Sequence, residues 1–293
     1  KYPRNDEVAA FYSLALNGWG TTDREISILE KAAVIGNEIL QSNPKHPGAL
    51  HYIIHALDNP QHAAQALVTA DNYAKTAPGA GHALHMPTHT YLALGLWDKV
   101  VSSNEVSWAA EWARKKRKNL DNDALGYHSY HWLQYGYLQS GNKEKARAMI
   151  DSVQKYSGEK SSPRARAHLI LMKTTYLAET NDYNKAIMDI PIQHNDLNIV
   201  ARSKNYYADG MSEYYKGNIA GMDKVILQLA GERLAEATKA SDKGIRLCGN
   251  IGRSIATVTD LQESEAMEME LRAMRSWLAK EAAATEKYLQ QAT

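Results

Sequence analysis

The chain has 293 residues, 44% of them hydrophobic, which is enough for one large domain, two ordinary ones or an elongated repeat array. Thirty-four Lys and Arg against 33 Asp and Glu leave a formal charge of +1, which argues against a nucleic-acid-coating protein. The single cysteine, Cys248, excludes an internal disulfide and any cysteine-cluster metal site, and no apolar run approaches the length of a membrane span.

In chain order the pattern is helical throughout. The chain opens "KYPRNDEVAAFYSLAL", with no initiator Met, no visible signal peptide and a helix almost at once, as in a trimmed piece of a longer protein. Residues 5–42 read as an irregular helix pair. From about 47 to 240, helical stretches of roughly 12 to 20 residues alternate with short breaks where Gly and Pro collect. Turns are expected at Gly95, Gly141, Asn181 and Gly217, and residues 262–290 read as a terminal helix pair or cap. No alternating run suggests a sheet. Within this pattern Pro44 and Pro78 lie 34 residues apart, and His51/His85 and His55/His89 repeat that offset.

The 34-residue period, with Ala66, Ala146 and Ala186 early in second helices and Pro78 at a unit's end, resembles the tetratricopeptide repeat (TPR). The run HPGA…HY.IHA.D.P…HALHMP.H…LG.W, about a quarter of the chain, is similar to that of a bacterial family of TPR-like proteins whose members extend further upstream. The resemblance implies one all-α domain over 1–293, an α-α superhelical solenoid of TPR-like helix pairs, in the bacterial cytoplasm or periplasm. In TPR units the second, fifth and ninth positions of the first helix face a concave groove. Phased on each unit's turn residue, His51 and His55 take the fifth and ninth positions of one unit, and His82, His85 and His89 the second, fifth and ninth of the next. His128 and His131 follow in the third and His168 in the fourth. Asp58 takes a twelfth position of the same face. His46, His62 and His194 fall elsewhere.

Spacing alone gives these residues a chemistry. Residues three or four apart share a helix face, and two His at i, i+4 on neighbouring helices make a four-nitrogen set. The expected metal ligands are His51, His55, His85 and His89, with His82, His128 or His131 substituting or forming a second site. Asp58 is then a ligand or the group that orients an imidazole. Nitrogen donors without thiolate suit Zn, Cu, Ni or Fe.

Three functions follow from this arrangement: a scaffold holding a metal with a peptide or protein partner beside it, a hydrolytic or oxidative metalloenzyme with an open coordination position, or a metal-free interaction scaffold. In the last, His–Tyr and His–backbone hydrogen bonds with Tyr52, Tyr91, Tyr127 and Tyr130 would hold the repeats in register. Glu105 and Glu111 are weaker acid–base candidates. Pro87 either kinks a helix and re-aims His85 and His89, or begins a new helix in whose first turn proline is tolerated. The basic stretch 113–119 reads as a helix C-terminus carrying cations. Trp108 with Trp112, and the tyrosines of 204–218, read as packing.

Overall fold

A computed structural model describes residues 5–23, 25–239 and 256–292, residues 21–23 by backbone only. Cys248 and the two chain termini lie outside the described residues. Every regular element among them is helical, with no strand. No helix is long and apolar enough to cross a membrane. The chain divides into two compact units, residues 1–146 and 147–293.

The first unit holds α1 (Asp6–Asp23), α2 (Ile26–Ser42), α3 (Pro47–Ala56), α4 (Leu67–Thr76), α5 (Gly81–His85), α6 (Pro87–Ala93), α7 (Trp97–Lys118), α8 (Tyr127–Gln139) and the start of α9 (Lys143–Glu159). Local chemistry sets several boundaries. His46 caps α3, its Nδ1 accepting the Ala49 N–H at 3.2 Å, and Pro47 follows at the first helical position, where no hydrogen bond is lost. Gly95, Gly141 and Gly217 have φ of +68°, +76° and +67°, and Asn181 has +54°. These are the expected turn positions, and each adopts the left-handed conformation that Gly and Asn tolerate best. The basic stretch ends α7, where Asn119 closes the helix at φ 49° and the cations face the negative end of the dipole.

Two of the hydrophobic clusters in this unit frame the site. Leu50, Ile54, Ala70, Tyr73, Ala83, Met86, Tyr91 and Val100 form one, joining α3 through α7. Leu16, Ala32, Ala33, Ile53, Ala56, Leu57 and Ala66 form the other, beneath α1 to α3. Small residues let the helices approach closely. A Cβ on Gly36 would lie 2.5 Å from Ile53 Cγ1, so α2 and α3 touch at backbone distance there. Trp108 stacks on Tyr130 of α8 at 3.9 Å and meets Trp112 edge-on at 6.2 Å, the inter-helix packing that their spacing suggests.

The second unit contains the rest of α9, α10 (Pro163–Thr180), α11 (Lys185–Met188), α12 (Ile199–Tyr215), α13 (Ile219–Ala237), α14 (Val258–Leu278) and α15 (Ala282–Ala292). Tyr206, Tyr207 and Tyr214 pack against the core of Met222, Val225, Ile226, Leu229 and Leu271. One expectation needs correcting. The second helix of the fourth pair is a single turn, α11, capped by Asn184; the chain then runs without helix to Asn198, which caps α12. Pro191 stands three residues beyond the end of α11 and cannot extend a helical hydrogen-bond ladder.

Gly36→Ala is expected to cost about 1–3 kcal/mol by overpacking against Ile53, whereas Gly231→Ala, in α13 with open space around it, should stabilise by about 0.5–1 kcal/mol through helix propensity. Denaturant unfolding of both variants checks the contrast.

Candidate metal centre

Six of the singled-out histidines come together in the first unit. α3 carries His51 and His55 one turn apart; α5 carries His82 and His85; α6 carries His89; α8 carries His128. Neighbouring rings form a continuous path. His82 meets His51 at 5.0 Å between centroids, His51 meets His55 at 4.8 Å, and His55 meets His89 at 5.5 Å. His89 meets His85 at 5.2 Å, and His85 meets His128 at 4.8 Å.

Donor atoms sort this path into two triads. His51, His55 and His82 each offer a nitrogen within 4.8 Å of the other two, and so do His85, His89 and His128. The four nitrogens expected as one set are thus divided, α3 supplying two to one triad and α5 and α6 one each to the other. His82 and His128 complete them. Neither triad contains a carboxylate or thiolate.

Pro87 separates the two short helices that carry His82, His85 and His89. The helix ends at His85, Met86 links at φ −51°, and α6 begins with Pro87 at its first position. The proline therefore starts a helix, the second of the two readings above. His82 and His85 lie on one side of this break and His89 on the other.

The second triad is the more built. His85 is buried, and its Nδ1 lies 2.7 Å from Asn104 Oδ1. Asn104 Nδ2 donates to Val100 O at 3.0 Å, which settles which end of the amide faces the ring. Thr88 uses its hydroxyl proton on His85 O, at 2.7 Å, and its oxygen stands 3.2 Å from the same Nδ1. Both neighbours therefore accept, so His85 Nδ1 carries the proton and Nε2 the lone pair. That Nε2 is buried and has no hydrogen-bond partner, a costly arrangement for a polar atom unless something else binds there. His89 is oriented likewise: Asp58 Oδ2 accepts from its Nδ1 at 2.7 Å. Trp132 covers this triad, its ring 4.5 Å from His89, 5.3 Å from His85 and 5.6 Å from His128.

The first triad is more open. His51 and His55 are half-buried and His82 is exposed. His51 stacks on Tyr73 at 5.5 Å, and its Nε2 lies 3.2 Å from His82 Nε2. Ions bound at about 2.0–2.1 Å in tetrahedral geometry hold their nitrogen ligands about 3.3 Å apart. That pair already has this spacing, and the other pairs, all within 4.8 Å, need close by no more than about 1.5 Å.

Electrostatics favour the neutral form of four of these rings, His51, His55, His82 and His85. Burial pushes His51 down to about 3, aided by His55, His82 and His89. Burial, then His89, lowers His55 to about 4, against an opposing pull from Asp58. Burial and His89 lower His82. Burial, His89 and His128 hold His85 well below the ordinary value, although its bond to Asn104 acts upward. A neutral imidazole is the form that binds a metal.

The other expected residues stand apart from the triads. Asp58 lies beyond the end of α3, so it is not a further position of that helix; it reaches the array from the following turn, through His89. His131 is half-buried on α8 and belongs to neither triad. His168 lies in the second unit, buried on α10, with Nδ1 bonded to Arg164 O at 2.8 Å. His46, His62 and His194 hold local partners, as their off-pattern positions suggest. Glu105 accepts the Tyr137 hydroxyl proton, and Glu111 lies against Gly81 and Gly126. Asn104 and Trp132 were missed. Trp132 had a signal, four residues after His128 on the same helix face; Asn104 had only its polarity in a helix that buries it.

The chain matches no protein-family model and none of the curated proteins with which it was compared.

A stability effect follows from the depressed pKa values. Well above pH 6.5 His51 and His55 are neutral folded and unfolded, and the difference vanishes. As pH falls below 6.5 the unfolded chain takes up protons that His51 and His55 refuse until about 3 and 4, so the folded state loses ground through that window. Metal-free protein should melt progressively lower from pH 6.5 to 5, before most carboxylates titrate, and H51A/H55A should flatten the slope. Parallel slopes in the two proteins would refute the assignment.

Proposed function

We propose that this chain is a transition-metal-binding protein whose histidine array lies within a TPR-like helical scaffold. The observation that carries the reading is the buried His85 Nε2, fixed as a lone-pair donor by Asn104 and lacking any hydrogen-bond partner. Five further imidazoles surround it in triads of coordinating size. His62, outside the array, has both ring nitrogens partnered, Nδ1 by Asn59 and Nε2 by Glu30. Asp58 and Asn104 play the parts expected around a metal, accepting the distal ring protons of two ligands. The all-nitrogen donor set suits Zn, Cu, Ni or Fe.

A second reading is favoured by one feature. Each triad supplies three protein ligands, the number that leaves a tetrahedral ion one position for water or substrate. That is the coordination of a metalloenzyme, in which the ion lowers the pKa of bound water or polarises a substrate oxygen. Asp58, held on His89 and 33% exposed at its side chain, is the nearby carboxylate able to exchange a proton with solvent. A peptide or protein partner, as TPR-like scaffolds bind, would lie alongside the same helices.

Metal titration of purified apo-protein tests the reading. Wild type should bind a transition metal with quenching of Trp132 emission, while H55A and H89A lose most of that affinity and H62A keeps it. Equal behaviour of all four proteins would sink the proposal. Asp58→Asn should weaken binding by about 10–100-fold without changing the helical circular dichroism, because it removes an orienting charge and not a ligand.

A further inference from the structure

Resting on that metal-binding reading, we infer that the two triads form one dinuclear copper centre, loaded as a pair of Cu(I) ions and, once oxidised, bridged by a single hydroxide. The triads are not separate sites that happen to share a unit. They meet along two edges, His55 against His89 at 5.5 Å and His82 against His85 at 6.3 Å. The first edge joins i+4 partners of neighbouring helices. The second joins residues one turn apart on α5, on either side of the dividing line. Ions placed in both triads are therefore neighbours within reach of one shared small ligand, as in two-metal sites generally.

Charge selects the metal. Six imidazoles bring no negative charge to the pair, and the hydrogen bond from the array to Asp58 is made by the outer nitrogen of His89. Two dications so placed repel about four times as strongly as two monocations at the same spacing. Di-iron, di-manganese and di-magnesium centres depend on carboxylates for this reason, and neither triad has one. Cu(I) carries a single charge, accepts three nitrogen ligands and tolerates a site with little anionic support. Trp132 shields one triad, and the exposure of His82 leaves the other open to solvent. On oxidation each Cu(I) gives one electron to an external acceptor. A water molecule then supplies the bridging hydroxide and releases its proton to solvent, which lowers the charge of the resulting Cu(II) pair.

Anaerobic titration of the apo-protein with Cu(I), in parallel with Zn(II), is the test. Two Cu(I) per chain are expected at the array, falling to one in H82A and one in H128Q. The exposed position of His82 makes H82A safe for the core, and circular dichroism checks both variants. Zn(II) should bind once tightly, a second equivalent being at least about a hundredfold weaker. After oxidation with two equivalents of ferricyanide, the integrated electron paramagnetic resonance signal should fall well short of total copper, as for spins coupled through one bridge. A single Cu(I), two equally tight Zn(II) ions, or a fully visible Cu(II) signal would overturn the dinuclear centre while leaving metal binding intact. Binding of both metals that is unchanged in every histidine variant would overturn the metal-binding reading itself.

Discussion

The hydrogen bond from His85 Nδ1 to Asn104 Oδ1 is the constraint on which the site depends. It lies in the interior, where a polar group must find a partner or cost the fold a kilocalorie or more. Asn104 is itself pinned by Val100 O, so the amide cannot turn over and donate to the ring. The imidazole therefore points its lone pair away from α7 and toward His89 and His128. Replacing that amide by an apolar side chain would free the ring to rotate and leave two buried nitrogens without direction.

Backbone proximity makes the arrangement possible. The chain places Gly81 where a Cβ would collide with the Glu111 side chain, and the Gly81 carbonyl accepts the buried Ser107 hydroxyl at 2.7 Å. α5 is thereby seated directly on α7, close enough for His85 to reach Asn104. Ala49, Ala56 and Ala83, each nearly inaccessible, do the same for α3 and α5. Large residues at these points would move the helices apart by ångströms, and imidazole triads tolerate little of that. The apolar core and the polar array are two sides of one packing solution.

The second unit solves its burial problems with ion pairs. Arg202 bridges Glu232 and Glu236; Glu268, 3% exposed at its side chain, accepts from both Arg233 and Arg272. Arg166 holds Asp196 through two parallel bonds of 2.6 Å. Such pairs fix the register of neighbouring helices because each charge would be costly alone. The contrast with the first unit is chemical: there the buried polar groups include the imidazoles of the array, held by the Asn104 amide and by a single carboxylate, Asp58 on His89. Charge satisfied by protein in one unit stands against lone pairs available to a ligand in the other.

The all-helical class, the turn positions and the identity of the histidines were legible in the sequence, because each rests on local rules. Gly95, Gly141, Asn181 and Gly217 can adopt left-handed φ whatever surrounds them, and residues four apart share a helix face in any context. That is why His51 with His55 could be paired from spacing alone. What spacing could not say was which rings across helices would share an ion. Pro87 ends one helix and begins another between His85 and His89, so the pair is not one continuous turn. The division into triads is set by how α3, α5, α6 and α8 cross. His131 and His168 show the same limit, since a helix-face position fixes a direction from its own axis and not what lies at the end of it. Asp58 and Asn104 join the site from a turn and from a different helix, and only the packed chain brings them to the rings they orient.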